Sequence, residues 1–116
     1  MLAERELLTA LRGAHTLGQA RAYWSLAPLF NLGGLYERRA EPDRARRYYR
    51  RCLALTEGGV NLGIRACAAL RLALLLAGDG QTEAAGPLAE EADRLFAIMG
   101  NYGEKTQALR LLRTLR

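Results

Sequence analysis

Asn31-Leu32-Gly33-Gly34-Leu35-Tyr36, followed by Ala45, Tyr49 and Cys52, is the stretch on which the fold of this chain turns. Together these residues read as one helical hairpin of a repeat. Ala45, Tyr49 and Cys52 fall at the three- and four-residue spacing of a buried helical stripe. Two adjacent glycines inside the partner helix cost roughly 1 kcal/mol each relative to alanine, so a packing reason is expected for them. Close approach of the second helix at Ala45 would supply it.

Working outward, Leu2 to Arg12 is a helical candidate with Ala3, Leu7, Ala10 and Leu11 on one face, and Glu4 and Glu6 favour its start. Shifted by 42 residues, this set matches Ala45, Tyr49, Cys52 and Leu53, which makes it the second helix of a repeat whose first helix is missing. After Gly13 and Thr16 a long helix is expected from Leu17 to Arg39, kinked at Pro28, unless it starts near Ser25 and Pro28 lies in its first turn. Ala40-Glu41-Pro42-Asp43 reads as a turn before a helix from Arg44 to Glu57, which carries Tyr48, Leu53 and Leu55 besides its buried stripe. Gly58-Gly59 ends it. A helix over Asn61–Ala77 is apolar enough after Arg71 to be buried on most sides, and Gly78-Asp79-Gly80 is the next turn. The helix Thr82–Met99 should turn Ala85, Leu88, Ala89, Ala92, Leu95 and Phe96 inward and Glu90, Glu91 and Asp93 outward, with Gly86-Pro87 weakening its early part. After Gly100-Asn101, Tyr102–Arg116 carries Ala108, Leu109, Leu112 and Leu115 inward. The expected class is all-α, with about five antiparallel helices.

An offset of 40 residues lays the chain on itself. Leu32 pairs with Leu72 and Leu112, Ala45 with Ala85, Tyr49 with Ala89, Cys52 with Ala92, Leu55 with Leu95 and Gly63 with Gly103. Small residues recur where two helices must approach and bulkier ones where the space between hairpins must be filled. Leu32, Gly33 and Tyr36 fit the L-G-x-x-Y half of the tetratricopeptide signature, and Ala45 with Tyr49 fits its A-x-x-x-F half. The chain therefore resembles a tetratricopeptide-repeat protein. It departs from the pattern at Leu29, which stands where the signature has tryptophan, with Trp24 out of register, and after Glu57, where the closing proline is absent. Its 40-residue period resembles the longer repeats of large bacterial signalling and transcriptional regulators.

The resemblance implies antiparallel hairpins stacked as a short superhelix. The divisions would be a half repeat 1–15, repeats 16–57 and 58–99, and a terminal helix 101–116. It also implies a concave groove lined by the first helix of each hairpin. Carried over residue by residue, that face selects Ala27, Phe30, Asn31, Gly34 and Arg38, then Cys67, Leu70, Arg71 and Leu74, then Gln107, Arg110 and Thr114. Asn31 would hydrogen-bond the backbone of an extended peptide, and Arg38, Arg71 and Arg110 would grip carboxylates. The implied function is a non-catalytic scaffold for protein interaction or oligomerisation, binding an acidic or C-terminal peptide. The alternative is a groove too short to bind, with Asn31 bridging helices and the arginines solvated.

The 116 residues are half hydrophobic, enough for one domain with a modest core. The net charge of +5 comes from 17 basic against 12 acidic residues, and all the basic residues but Lys105 are arginine. That balance favours acidic partners. Arg44, Arg46, Arg47, Arg50 and Arg51 crowd one helix. With Tyr48 they suggest an anion-binding surface built on Arg46, Arg47, Arg50 and Arg51, and hence a regulatory nucleic-acid-associated module as the second functional reading. The other role for the same face is solvation, with Glu90, Glu91 or a partner chain neutralising it.

No apolar run approaches the ~20 residues that a membrane span needs, and Glu4, Arg5 and Glu6 interrupt any signal peptide. Cys52 and Cys67 are too few for a disulfide framework and lack metal-ligand spacing, so both are expected as reduced residues in bacterial cytosol. His15, the only histidine, has no carboxylate or cysteine near it in sequence, and no phosphate loop or metal motif is present. No cofactor and no enzymatic activity are expected. A stack must cover its terminal apolar faces, so Leu2, Leu8, Leu111 and Leu115 are expected partly uncovered, and a homodimer or a longer array would cover them.

Overall fold

The computed structural model describes residues 26–115. Among these residues the chain forms five helices and no strand: α1 Leu26–Arg38, α2 Pro42–Leu55, α3 Leu62–Gly78, α4 Thr82–Ile98 and α5 Tyr102–Thr114. The fold is all-α, as the apolar periodicity predicts. The expected helix Leu2–Arg12, His15, Trp24 and the part of the Leu17–Arg39 helix before Leu26 lie outside the described residues, and so does the question of a kink there. Gly86-Pro87 does not end α4, which runs through both residues.

The turns show why the helices stop where they do. Glu41 N–H donates to Tyr36 O at 2.9 Å, Gln81 N–H to Leu76 O at 2.8 Å and Asn101 N–H to Phe96 O at 2.8 Å. Each is the long closing bond of a Schellman turn, which needs a left-handed residue just before its donor. That residue is Ala40 (φ 57°), Gly80 (φ 80°) or Gly100 (φ 72°). Pro42 then starts α2, where its missing N–H is of no consequence. Asn61 and Asn101, one repeat apart, cap α3 and α5 by accepting the N–H of Ile64 at 3.1 Å and of Glu104 at 3.2 Å.

Consecutive helices pack on one another, and α1 also touches α3. Contacts across each turn run in opposite directions along the chain. Tyr49 of α2 lies against Gly33 of α1, and farther from the turn the Cys52 Sγ sits 3.9 Å from Leu26 O. In the same sense Arg65 of α3 reaches Glu91 of α4, and Lys105 of α5 reaches Asp93 of α4. The hairpins are therefore antiparallel. Their core is continuous, from Leu29, Leu32 and Tyr49 through Ala69, Leu72 and Leu76 to Ala89, Phe96 and Ala108. As expected, α3 is buried on most sides.

Four local expectations change. What lies against Gly33 is the Tyr49 ring, not Ala45: a Cβ there would stand 2.5 Å from Cε1. On α5 the inward residues are Ala108 and Leu111, whereas Leu109 is 38% exposed, so Leu111 is covered and Leu109 is not. Glu91 and Asp93 are half-buried, because each takes a cation from a neighbouring helix. Tyr48 is not free for a ligand; its ring stacks on Tyr36 with centroids 5.6 Å apart and planes 5° from parallel.

Arg65 ties three helices. Its Nη1 donates to Leu53 O at 2.9 Å and to the fully buried Thr56 hydroxyl at 3.1 Å, and its Nε reaches Glu91 at 2.5 Å. A cation thus sits on the orphan carbonyls at the end of α2, where the helix dipole favours positive charge.

The two adjacent glycines make opposite predictions. A Cβ at Gly33 would clash with the Tyr49 ring, so Gly33→Ala should destabilise by about 1–3 kcal/mol despite the better helix propensity. At Gly34 the nearest atom to a Cβ is Arg38 Nη1 at 3.5 Å, an ordinary contact, so Gly34→Ala should stabilise by up to about 1 kcal/mol. Urea unfolding of the two variants checks both signs. Ala40→Gly, which removes a left-handed alanine, should raise stability by up to about 1 kcal/mol in the same assay.

Candidate functional site

The helical spacing of α1 brings Phe30, Gly34, Glu37 and Arg38 onto one face, and the hairpin brings Tyr49 of α2 and Arg71 of α3 against them. These six side chains and backbones line a cleft of about 390 Å³. Phe30 and Tyr49 form its aromatic wall, with ring centroids 5.6 Å apart and planes tilted by 56°. Gly34 opens it, since any larger residue there would project beside Arg38.

Glu37 is the electrostatic centre. The Tyr49 hydroxyl donates to its Oε1 at 2.5 Å, while Arg71 donates from Nε to Oε1 at 3.0 Å and from Nη2 to Oε2 at 2.6 Å. Such a two-point guanidinium–carboxylate pair fixes both partners in one plane. Burial pushes the Glu37 carboxyl up, but the hydrogen bonds from Arg71 and Tyr49 and the charges of Arg71 and Arg38 outweigh it and hold it below its ordinary 4.5. Burial, and then the same carboxylate, push the Tyr49 hydroxyl well above its usual range. With Glu37 ionised, the cleft sets the guanidiniums of Arg38 and Arg71 against one carboxylate, an excess of one positive charge. The Arg71 side chain is 43% exposed, so its outer edge remains open to a second anion.

This chemistry suits holding an anion better than moving a proton. Both oxygens of Glu37 are occupied, and a carboxyl held low is a weak base. Burial pushes the Cys52 thiol up to about 12. Burial, and then the charge of Glu104, also raise the Cys67 thiol. Neither offers a thiolate nucleophile near neutral pH. No cluster of metal-ligating side chains occurs among the described residues.

The structure brings together three of the residues expected in a groove, namely Phe30, Arg38 and Arg71, and adds Gly34. Asn31 is exposed beside the cleft without lining it. Leu70 is 1% exposed and belongs to the core, because α3 is packed on several sides; it presents no surface to a ligand. Leu74 is half-buried against the core. Gln107 and Arg110 are exposed on α5, outside the cleft.

The arginine helix also divides. Arg47, Arg50 and Arg51 are exposed, as its buried stripe predicts. The Arg46 side chain is only 13% exposed and pairs with Asp43 and with Asp79, the latter at 3.6 Å. Its neutralising acids are therefore those two, since Glu91 belongs to Arg65. Sequence reasoning missed Glu37, the hydroxyl role of Tyr49, and Arg65. The available signal was that a tyrosine on a buried stripe needs a hydrogen-bond partner, and Glu37 is the one acid in α1.

Because Glu37 titrates lower in the folded chain than in the unfolded one, its stabilisation is complete above the unfolded pKa and disappears as pH falls through the folded one. Glu37→Gln, which leaves Arg71 without its counter-charge, should cost roughly 1–3 kcal/mol at neutral pH, less than a fully buried pair would because Arg71 is partly solvated. The gap from the parent chain should close as pH falls below the ordinary 4.5, as followed by urea unfolding across pH. No known protein family, curated protein sequence or solved structure matches this chain.

Proposed function

We propose that the chain is a tetratricopeptide-like, non-catalytic interaction module that seats an extended acidic peptide in the cleft between α1 and α3. The observation that carries this reading is the cleft's composition: an aromatic wall, a glycine where a side chain would block entry, and two guanidiniums against one carboxylate. A peptide would lay an apolar side chain on Phe30 and direct a carboxylate to Arg38 and the open edge of Arg71. The recurrence of turns at Ala40 and Gly80, and of asparagine caps at Asn61 and Asn101, supports the repeat reading. No helix among the described residues is long and apolar enough to cross a membrane, and the free thiols of Cys52 and Cys67 suit a reducing bacterial cytosol.

Fluorescence anisotropy with labelled peptides of about ten residues, glutamate-rich or lysine-rich around one aromatic residue, tests this reading. The acidic set should bind and the basic set should not. Gly34→Leu, which fills the cleft, and Arg38→Glu should each weaken binding at least about tenfold, with helicity unchanged by circular dichroism. Equal binding of acidic peptides by Gly34→Leu and the parent chain would refute the cleft as the site.

A further inference from the structure

We propose that the outer face of α2 is a second binding surface, one that grips the phosphodiester backbone of duplex nucleic acid without reading its sequence. It is separate from the cleft and stands or falls independently of it. The first support is where the charge sits. In α2, Arg44, Arg46, Arg47, Arg50 and Arg51 face only Asp43, a balance of +4, against +5 for the whole chain. The remainder of the molecule is nearly neutral, so the basic character is localised on one helix.

The second support is shape. Asp43, Arg46, Arg47, Arg50, Arg51 and Ala54 line a surface depression of about 450 Å³, with the small Ala54 leaving room at one end. From Asp43 to Ala54 the strip runs about 16 Å at 1.5 Å per residue, the rise of about five phosphates along one strand. Arg46 is anchored by Asp43 and Asp79 and forms a fixed wall. Arg47 and Arg50 are exposed and form no ion pair among the described residues, so they carry their charge to solvent.

What the face lacks decides between partners. None of the exposed large apolar side chains among the described residues, Val60, Ile98, Met99, Tyr102 and Leu109, lies on α2. A protein interface gains most of its energy from such anchors, whereas a backbone-binding surface is polar and positive. Tyr48 stacks on Tyr36, and the Arg44 guanidinium lies 5.3 Å from the centre of the Tyr36 ring. With its aromatics engaged, α2 offers no platform on which single-stranded bases would stack. Phosphate contact alone remains, and it is indifferent to sequence.

The test is fluorescence anisotropy of a labelled DNA duplex of about 20 base pairs, with salt varied from about 50 to 200 mM. The parent chain should bind with a log–log salt slope of about −2 to −3, the value for two or three neutralised phosphates. Arg47→Glu with Arg50→Glu should lower affinity at least about tenfold and flatten that slope, while Arg94→Glu with Arg113→Glu, the same change in net charge on other helices, should change affinity less than about twofold. Circular dichroism confirms that both double variants fold. Equal losses in the two would overturn the proposal, since net charge and not this face would then govern binding. Absence of binding at the lowest salt would overturn it too, as would polyglutamate displacing the duplex at matched charge, which would assign the face to an acidic protein.

Discussion

The Tyr49 ring lies against the bare backbone of Gly33, and much of the structure follows from that contact. The ring fits because Gly33 has no Cβ to hold it off. A phenol laid there must find an acceptor for its hydroxyl, and Glu37, one turn along α1, supplies it. A half-buried carboxylate in turn needs a counter-charge, which Arg71 brings from α3. One steric allowance thus draws in three helices, and the groups that satisfy one another become the walls of the cleft.

A second set of ties works by the same logic with different parts. Arg65 on α3 caps the end of α2 and pairs with Glu91 on α4, while Lys105, one repeat later on α5, pairs with Asp93 on α4. These cations are well covered, with the Arg65 side chain 19% and the Lys105 side chain 26% exposed, against 43% for Arg71. The difference separates cations that hold hairpins together from one that also faces a cleft. Partial exposure lets a single guanidinium satisfy an internal carboxylate and still attract an external one, which a fully buried pair cannot do.

Most of the architecture was legible in the order of residues. The ends of α2, α3, α4 and α5 fall within a residue or two of where capping groups, Pro42 and the glycine turns place them, because those signals act locally. Burial of Ala45, Tyr49 and Cys52 was legible for the same reason: one helix decides its own stripe. The errors arose where a second hairpin intervened. Leu70 shares a helical face with groove residues by spacing, yet α3 is packed on several sides and takes Leu70 into the core. Arg46 belongs by spacing to an exposed arginine strip, but it lies next to the turn that carries Asp79. Glu37 was invisible because its decisive partner stands 34 residues away. Charge type was readable from composition; charge pairing depended on tertiary placement.

The central claim is that Tyr49 and Arg71, which come from different hairpins, act through one carboxylate. A double-mutant cycle measures this directly, with Tyr49→Phe and Arg71→Gln made singly and together and the unfolding free energies compared. Linked through Glu37, the two substitutions should be non-additive by about 0.5–3 kcal/mol. Additivity to within about 0.3–0.5 kcal/mol would contradict the claim, because it would mean that the hairpins are held by packing alone and that the cleft has no common electrostatic centre.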